Sequence, residues 1–173
     1  MASASDVLKQ IKDESIEWVD LRFTDPKGKW QHLTMVAGIL TEDELDDGLM
    51  FDGSSIAGWK VINESDMILK PDLERVYIDP FSAEPMMILF CDIVEPSTGE
   101  WYARDPRTTA KRAEAFLKST GIGDTIYVGP EAEFFIFDDV KYKADMSGAS
   151  YEIQSQEAAW MTHADFEGGN LGH

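Results

Sequence analysis

The chain has 173 residues and a formal net charge of −18, with 33 acidic residues against 15 basic ones. Such an excess of negative charge repels phosphate backbones and anionic lipid surfaces, so we expect neither nucleic acid nor a membrane as a partner. Hydrophobic residues make up 43% of the sequence, which is typical of a globular protein rather than a disordered one.

The first predicted element is a short helix near the N-terminus. Ser5 or Asp6 is placed to cap it, and Val7, Leu8 and Ile11 share one face. The polar, acidic start of the chain is unlike a secretory signal peptide, and no apolar stretch approaches the length of a membrane span. We therefore expect a cytoplasmic protein.

A β-hairpin is predicted next. Residues 17–23 alternate strictly between two faces, with Trp18, Asp20 and Arg22 on one and Val19, Leu21 and Phe23 on the other. Asp25-Pro26-Lys27-Gly28 has the residues of a tight turn, and Trp30 to Val36 supplies the second strand. His32 alternates with its neighbours on this strand, so we expect a surface or cross-strand residue rather than a metal ligand.

A short helix and a long loop follow the hairpin. Thr41 and Glu44 form a capping box that opens the helix, and residues 47–65 show no regular period. Asp52 precedes a glycine and two serines in this loop. It is either an Asx-turn with no further role or a carboxylate that the serines fix as a proton acceptor. Trp59, in the same loop, is either a core anchor or a cover for a partner site.

Three short strands complete the first region. They span residues 67–70, 75–79 and 86–94 and are separated by Pro71, Pro80 and Pro85. Cys91, the only cysteine, lies in the last strand, so we expect a reduced thiol in the core and no disulfide within the chain. These elements predict a small mixed domain with a sheet and one or two short helices over about the first hundred residues.

The second region begins with Asp105-Pro106, a capping residue followed by proline at the first helical position. The helix is expected to end at Gly121 and to carry one apolar face. A long strand is predicted over residues 125–138. Beyond it the pattern decays, and only a turn at residues 146–148 and a glycine-rich tail stand out. One helix and one strand cannot bury both faces of a sheet, so this region looks incomplete.

Glu131 and Glu133 lie two positions apart on the predicted strand. Their side chains then project to the same face, with Cα atoms roughly 6.5 Å apart, a spacing at which two carboxylates ligate neighbouring divalent cations. An ordinary solvent-exposed strand face is the alternative. Apolar residues on both faces favour a buried strand, where unpartnered glutamates are costly. The sequence has no phosphate-binding P-loop, so any nucleotide is held in another way.

A series of motifs in this chain resembles bacterial type I glutamine synthetase. The matching segments follow the family's order and cover essentially the whole chain. They are residues 19–25, Phe51-Asp52-Gly53-Ser54-Ser55-Ile56, Gly58-Trp59, residues 63–67, Arg104-Asp105-Pro106-Arg107, residues 129–135, Glu167-Gly168-Gly169-Asn170 and Gly172-His173. A string of motifs in this order is highly specific.

The resemblance implies a reaction and a role for the acidic loop. Members of the family join ammonia to glutamate with ATP, through a γ-glutamyl phosphate intermediate. By this resemblance, Asp52 matches the residue that binds ammonium and removes its proton, in a loop that the neighbouring subunit donates to the active site. Ser55 and Trp59 match loop-supporting residues, and Asp66 matches a residue that helps to close the site.

The resemblance also implies the metal ligands and the fold. Glu131 matches a ligand of the cation that bridges the ATP phosphates, and Glu133 a ligand of the other cation, with Mg²⁺ or Mn²⁺ as the ions. The expected fold is α+β, with a β-grasp-like domain over residues 1–103. The first helix and strand of the catalytic domain follow over residues 104–173, and the expected assembly is a homo-oligomer, a dodecamer of two hexameric rings.

Family members continue far beyond position 173, and most of their metal ligands lie there. The chain is therefore expected to be the N-terminal part of a glutamine synthetase. It would supply the ammonium loop and the first metal-ligand pair and would be inactive alone. The alternative is a non-catalytic module derived from the family that binds or inhibits full-length subunits.

Overall fold

The computed structural model describes residues 3–155, 158 and 160 of the chain. The chain divides into two compact units, residues 1–126 and 127–173. The glycine-rich tail motifs of the sequence analysis, together with His163 and His173, lie outside the described residues. Within the described part of the chain, no helix is both long and apolar enough to cross a membrane.

A five-stranded mixed sheet forms the centre of the first unit. Its strands are β1 (Trp18–Thr24), β2 (Trp30–Val36), β3 (Leu49–Asp52), β4 (Asp66–Ile78) and β5 (Met86–Val94). Their order in the sheet is β2-β1-β5-β4-β3. β1 and β5 run parallel, and the other neighbouring pairs are antiparallel. The sheet and its helices confirm the α+β class predicted from the sequence.

Three helices accompany the sheet: α1 (Ala4–Asp13), α2 (Glu42–Asp47) and α3 (Pro106–Thr120). α1 and α2 contact each other and β4, so they cover one face of the sheet. The predicted cap of α1 at Ser5 or Asp6 is wrong. Ser3 is the N-cap, because its hydroxyl accepts from the Asp6 N–H while the Asp6 carboxylate accepts from the Ser3 N–H.

The core lies between this face of the sheet and the two helices. Alternating positions of the strands supply fully buried side chains, including Leu21, Leu69 and Leu89, and α2 adds Leu45. Cys91 is buried among them, and burial raises the pKa of its thiol. The predicted reduced core cysteine is confirmed.

The hairpin and its turn match the prediction from the sequence. β1 pairs with β2 from Trp18 opposite Val36 to Thr24 opposite Trp30. The Gly28 N–H donates to the Asp25 carbonyl at 3.0 Å, and Gly28 has φ +84°, a conformation that favours glycine. The turn therefore forms because its residues satisfy it locally.

Two boundaries in the middle of the first unit differ from the prediction. The segment 47–65 is not all loop, because Leu49–Asp52 forms β3 and pairs with β4. Residues 67–70 and 75–79 are not separate strands but parts of β4, whose register against β5 shifts between Pro71 and Val76. A bulge of this kind lets a strand continue past a proline that cannot donate to the ladder.

α3 confirms the predicted caps. The Asp105 carboxylate accepts from the N–H groups of Arg107 and Thr108, and Gly121 ends the helix with φ +69°. Its predicted apolar face is largely exposed, with Phe116 at 71%. Arg107 and Lys111 of this helix pair with the buried Asp92 of β5. Ion pairs therefore hold the start of the helix to the sheet.

The second unit contains one antiparallel hairpin, β6 (Asp139–Asp145) and β7 (Gly148–Gln154). The turn at residues 146–148 matches the prediction from the sequence, whereas the strands on either side of it were not predicted. The predicted long strand over 125–138 is absent from the described residues, and most of its side chains are exposed, with Phe134 at 80%. A strand needs a partner for its backbone groups, and here β6 and β7 pair with each other instead.

Candidate functional site

The acidic loop of the first unit runs between two paired strands. β3 ends at Asp52, β4 begins at Asp66, and the register places these two residues directly opposite each other. Directly opposed residues project from the same face of a sheet. Asp66 is exposed, as is Asp52. The pairing of β3 with β4 therefore brings together two carboxylates that the sequence analysis assigned to one site.

The Asp52 carboxylate is held by the serines that follow it. Its Oδ1 accepts from the Ser54 N–H at 2.8 Å and from the Ser54 hydroxyl at 2.6 Å, and its Oδ2 accepts from the Ser55 hydroxyl at 3.1 Å. Hydrogen bonds from Ser54 first, and then from Ser55 and Ser65, lower the pKa of Asp52 below its ordinary value. At neutral pH this exposed group is a fixed negative charge, which suits the binding of a small cation.

Trp59 anchors the loop from inside. Its side chain is 4% exposed, and its ring contacts Phe23, Phe51 and Tyr102 at centroid distances of 5.4, 6.1 and 5.5 Å. The structure therefore places Trp59 in the core, one of the two interpretations left open above. Its indole Nε1 is buried and has no hydrogen-bond partner within the described part of the chain.

Gly53 sits where the loop leaves the sheet. Its N–H donates to the Ser65 carbonyl at 2.7 Å, which closes the loop at its base. A Cβ at this position would lie 2.5 Å from Cγ of Met67 and 3.0 Å from the Ser65 oxygen. Close packing, rather than an unusual backbone angle, therefore requires glycine after Asp52.

An open groove of about 820 Å³ lies beside the loop. Its wall includes Ser65 and Asp66 on one side and the turn after β5 on the other, and Lys60 bridges the two with an ion pair to Glu95 at 2.5 Å. The remaining lining residues are Ile62, Asn63, Glu64, Pro96, Ser97 and Thr98. Asp66 is thus open to small molecules from this side.

Glu131 and Glu133 occupy an exposed segment of the second unit that is neither helix nor strand. The buried strand expected for them is absent from the described residues, so burial does not require a cation beside these two carboxylates. Phe135 and Phe137 stack on the same segment at 6.1 Å with an interplanar angle of 8°. Carboxylate oxygens are the donors that Mg²⁺ and Mn²⁺ prefer, so the pair fits such ions in kind.

The pair does not make a complete metal site. The described residues contain no group of three or more His, Cys, Asp or Glu side chains placed to hold a metal ion. A divalent cation of this class takes about six oxygen ligands, of which water supplies some. Two carboxylates therefore give part of a coordination sphere.

Two residues without a predicted role touch the acidic loop. The Tyr102 hydroxyl donates to the Trp59 carbonyl at 2.9 Å, and Arg104 Nη1 donates to the Gly58 carbonyl at 2.7 Å. Arg104 opens the Arg104-Asp105-Pro106-Arg107 motif, which the sequence analysis used only for the resemblance and the helix cap. The contact spans 46 positions of sequence, so local pattern alone gave no signal for it.

Comparison with known families identifies both parts of the chain. Residues 15–96 match the family described as glutamine synthetase, beta-Grasp domain, and residues 103–169 match glutamine synthetase, catalytic domain. The glutamine synthetase of Rhizobium meliloti (strain 1021) is 60% identical over 173 residues, which is 100% of this chain and 37% of that protein. That of Azotobacter vinelandii is 61% identical over 166 residues, or 96% of this chain and 36% of that protein.

Solved structures agree with the sequence relatives. A cryo-EM structure of Plasmodium falciparum glutamine synthetase matches 94% of this chain and 31% of that chain, with 27% identity and a TM-score of 0.77. The apo structure of GmaS, at 20% identity and a TM-score of 0.59, shares the fold. The chain therefore spans little more than a third of the length of the curated relatives cited above.

Proposed function

The chain belongs to the glutamine synthetase family, and we propose that it supplies the ammonium-binding loop and the first metal-ligand pair of an ATP-dependent glutamate–ammonia ligase. The reaction passes through γ-glutamyl phosphate. The observation that carries this proposal is the Asp52 loop, in which serine donors fix an ionised, exposed carboxylate at the end of a sheet strand.

The lowered pKa of Asp52 supports cation binding first and proton acceptance second. A carboxylate that stays ionised attracts ammonium at all physiological pH values, and Asp66 across the strand pair adds a second acidic side chain. The same lowering makes the free carboxylate a weaker base. In the proposed reaction, bound ammonium gives one proton to the Asp52 carboxylate, and the nitrogen of the resulting ammonia bonds to the γ-carbonyl carbon of the acyl phosphate. The bond between that carbon and the phosphate oxygen breaks, inorganic phosphate leaves, and the nitrogen loses a further proton to give the amide.

Glu131 and Glu133 are the proposed metal ligands. Glu131 would hold a cation that serves ATP, and Glu133 would hold a second cation that serves the glutamate substrate. These ions, Mg²⁺ or Mn²⁺, would neutralise charge on the transferred phosphoryl group when bound. The further oxygen ligands come from outside the described residues, in a homo-oligomer whose neighbouring subunit receives the Asp52 loop. A cytoplasmic setting belongs to the same proposal and agrees with the buried thiol of Cys91.

The test is a chimeric enzyme in which residues 1–173 replace the matching segment of the Rhizobium meliloti relative. Asp52→Asn keeps the size of the side chain but removes its charge, so we expect glutamine formation to fall about 10²–10⁴-fold while ATP binding is retained. Asp46→Asn, at an exposed position of α2, is the matched control. Near-normal glutamine formation in Asp52→Asn would remove Asp52 from the mechanism.

Glu133→Gln tests the metal pair in the same chimera. The amide is a poorer ligand for a divalent cation than the carboxylate, so we expect the Mg²⁺ concentration for half-maximal activity to rise about 10–100-fold. Asp138→Asn, five positions further along the chain, removes the same charge and is the control for that change. A Mg²⁺ requirement that Glu133→Gln leaves unchanged would show that Glu133 is not a ligand.

A further inference from the structure

Two successive turns lead from Asp52 to Trp59. The Ile56 N–H donates to the Gly53 carbonyl at 3.2 Å, and the Trp59 N–H donates to the Ile56 carbonyl at 3.2 Å. Gly53 is tied to the sheet through its bond to Ser65. Two consecutive backbone hydrogen bonds therefore hold the chain from Gly53, the residue after Asp52, to Trp59.

Arg104 and Tyr102 close this series at its far end. Arg104 Nη1 donates to the Gly58 carbonyl at 2.7 Å and to the Trp59 carbonyl at 3.3 Å, and the Tyr102 hydroxyl donates to the same Trp59 oxygen at 2.9 Å. Gly58 has φ +86°, a conformation that directs its carbonyl in a way that other residues adopt only with strain. Hydrogen bonds from a guanidinium are stronger than those from neutral donors, so Arg104 is the stronger of the two donors at this end of the loop.

The donors themselves are fixed to the centre of the sheet. The Tyr102 N–H donates to the Ile93 carbonyl of β5 at 2.8 Å, and the Tyr102 carbonyl accepts from the Asp105 N–H at 3.1 Å. Asp105 is fully buried and caps α3. The segment 102–105 therefore connects the central, largely buried strand β5, the start of α3 and the acidic loop.

We propose that Arg104, assisted by Tyr102, is a positioning residue that holds the Asp52 loop in its ammonium-binding conformation. The inference rests on the proposed function, which gives Asp52 its role. Arg104 lies at the start of the region that matches the glutamine synthetase catalytic domain, residues 103–169, whereas the loop lies within the beta-Grasp match. Its contact thus links the two family regions inside one chain.

The test uses the full 173-residue chain, isotopically labelled for nuclear magnetic resonance. Arg104→Gln is expected to speed amide hydrogen exchange at Ile56 and Trp59 about tenfold or more, because a charged donor is lost from the end of the series. The titration of the Asp52 carboxyl carbon should move toward the ordinary aspartate range, since its serine donors lose their fixed geometry. Arg112→Gln, an exposed arginine of α3, is the control and should change neither.

Two further variants separate positioning from charge and from folding. Tyr102→Phe removes one hydrogen bond without changing any charge and should produce a smaller change of the same kind. Arg104→Lys should restore part of the protection. A uniform acceleration that includes the Leu89 amide in the core would show a merely structural role. Unchanged exchange at Ile56 and Trp59 in both Arg104→Gln and Tyr102→Phe would also overturn the proposal.

Ammonium binding is read separately in the same samples. Ammonium chloride, compared with sodium chloride at equal ionic strength, should shift the Ser54 and Ser55 amide resonances of the wild-type chain more than those of Arg104→Gln. A wild-type chain that responds equally to both salts counts against the proposed role of Asp52. The hydrogen-exchange data test the contact of Arg104 with the loop independently of the ammonium titration.

Discussion

The two units of this chain both contain alternating apolar sequence, but they give their candidate site residues very different structural support. In the first unit, alternating strands meet α1 and α2 and bury a continuous core, so Asp52 lies at the end of a strand that is paired and packed. In the second unit, β6 and β7 form a hairpin with mostly exposed side chains, and Glu131 and Glu133 precede it on an unpaired segment. An apolar pattern becomes a buried strand only where partner strands and a covering layer exist.

The two parts of the proposed site differ in the same way, because contacts within the chain set the geometry of only one of them. The geometry of the acidic loop is set by contacts within residues 18–104, including those to Gly53, Trp59 and Arg104. The geometry of the glutamate pair is not set by any comparable set of contacts in the described residues. The chain therefore carries one preorganised element, the acidic loop, and one element, the glutamate pair, that has no comparable support within the described residues.

Core truncation is expected to give the largest contrast between the two units. Leu89→Ala removes a fully buried side chain of β5 and leaves a cavity, so the free energy of unfolding should fall by about 2–5 kcal/mol. Phe135→Ala removes a larger side chain, but this side chain is 73% exposed, so the free energy of unfolding should change by less than about 0.5 kcal/mol. Urea unfolding followed by circular dichroism measures both. Equal losses would mean that the second unit is packed as tightly as the first.

A glycine pair sharpens the same comparison at the level of the backbone. Gly53→Ala forces a Cβ to within 2.5 Å of the Met67 side chain, so we expect a loss of about 1–3 kcal/mol and a displaced Asp52 loop. Gly129→Ala, beside the glutamate pair, meets no atom within 4 Å and should be nearly neutral. Thermal unfolding of both variants, with spectra of the Ser54 amide, checks the prediction. A neutral Gly53→Ala would show that the loop base is not tightly packed.

The sequence predicted well what depends on neighbours along the chain. The capping box of Thr41, the caps of α3 and the turn before Gly28 all form because their hydrogen bonds are local. The resemblance supplied the family, which the comparisons confirm. The prediction was wrong for β3 and for the strand over 125–138, because both depend on which distant segment supplies a partner. The contact of Arg104 with Gly58 was missed for the same reason.

The smallest expected effect is the pH dependence of the stability that the buried carboxylate of Asp20 contributes to the first unit. Asp20 is 2% exposed and accepts hydrogen bonds from Thr34, Arg22 and His32. Burial by itself raises the pKa of Asp20, but these hydrogen bonds outweigh it, and the pKa lies below its ordinary value. Because the pKa of Asp20 is lower in the folded state than in the unfolded state, the ionised carboxylate stabilises the fold at pH values above its unfolded pKa of about 4. This stabilisation is lost as the pH falls through the folded pKa.

Asp20→Asn should therefore lower the free energy of unfolding at pH 7, and the difference from wild type should narrow steadily as the pH falls below about 4. Asp46→Asn removes the same charge from an exposed position and is the control for the change in net charge. Urea unfolding across this pH range measures the difference directly. If the deficit of Asp20→Asn were the same at pH 7 and pH 3, its cause would be lost packing and not the ionised carboxylate. The pairing of β1 with β2 would then be stabilised by side-chain packing and not by the charge of Asp20.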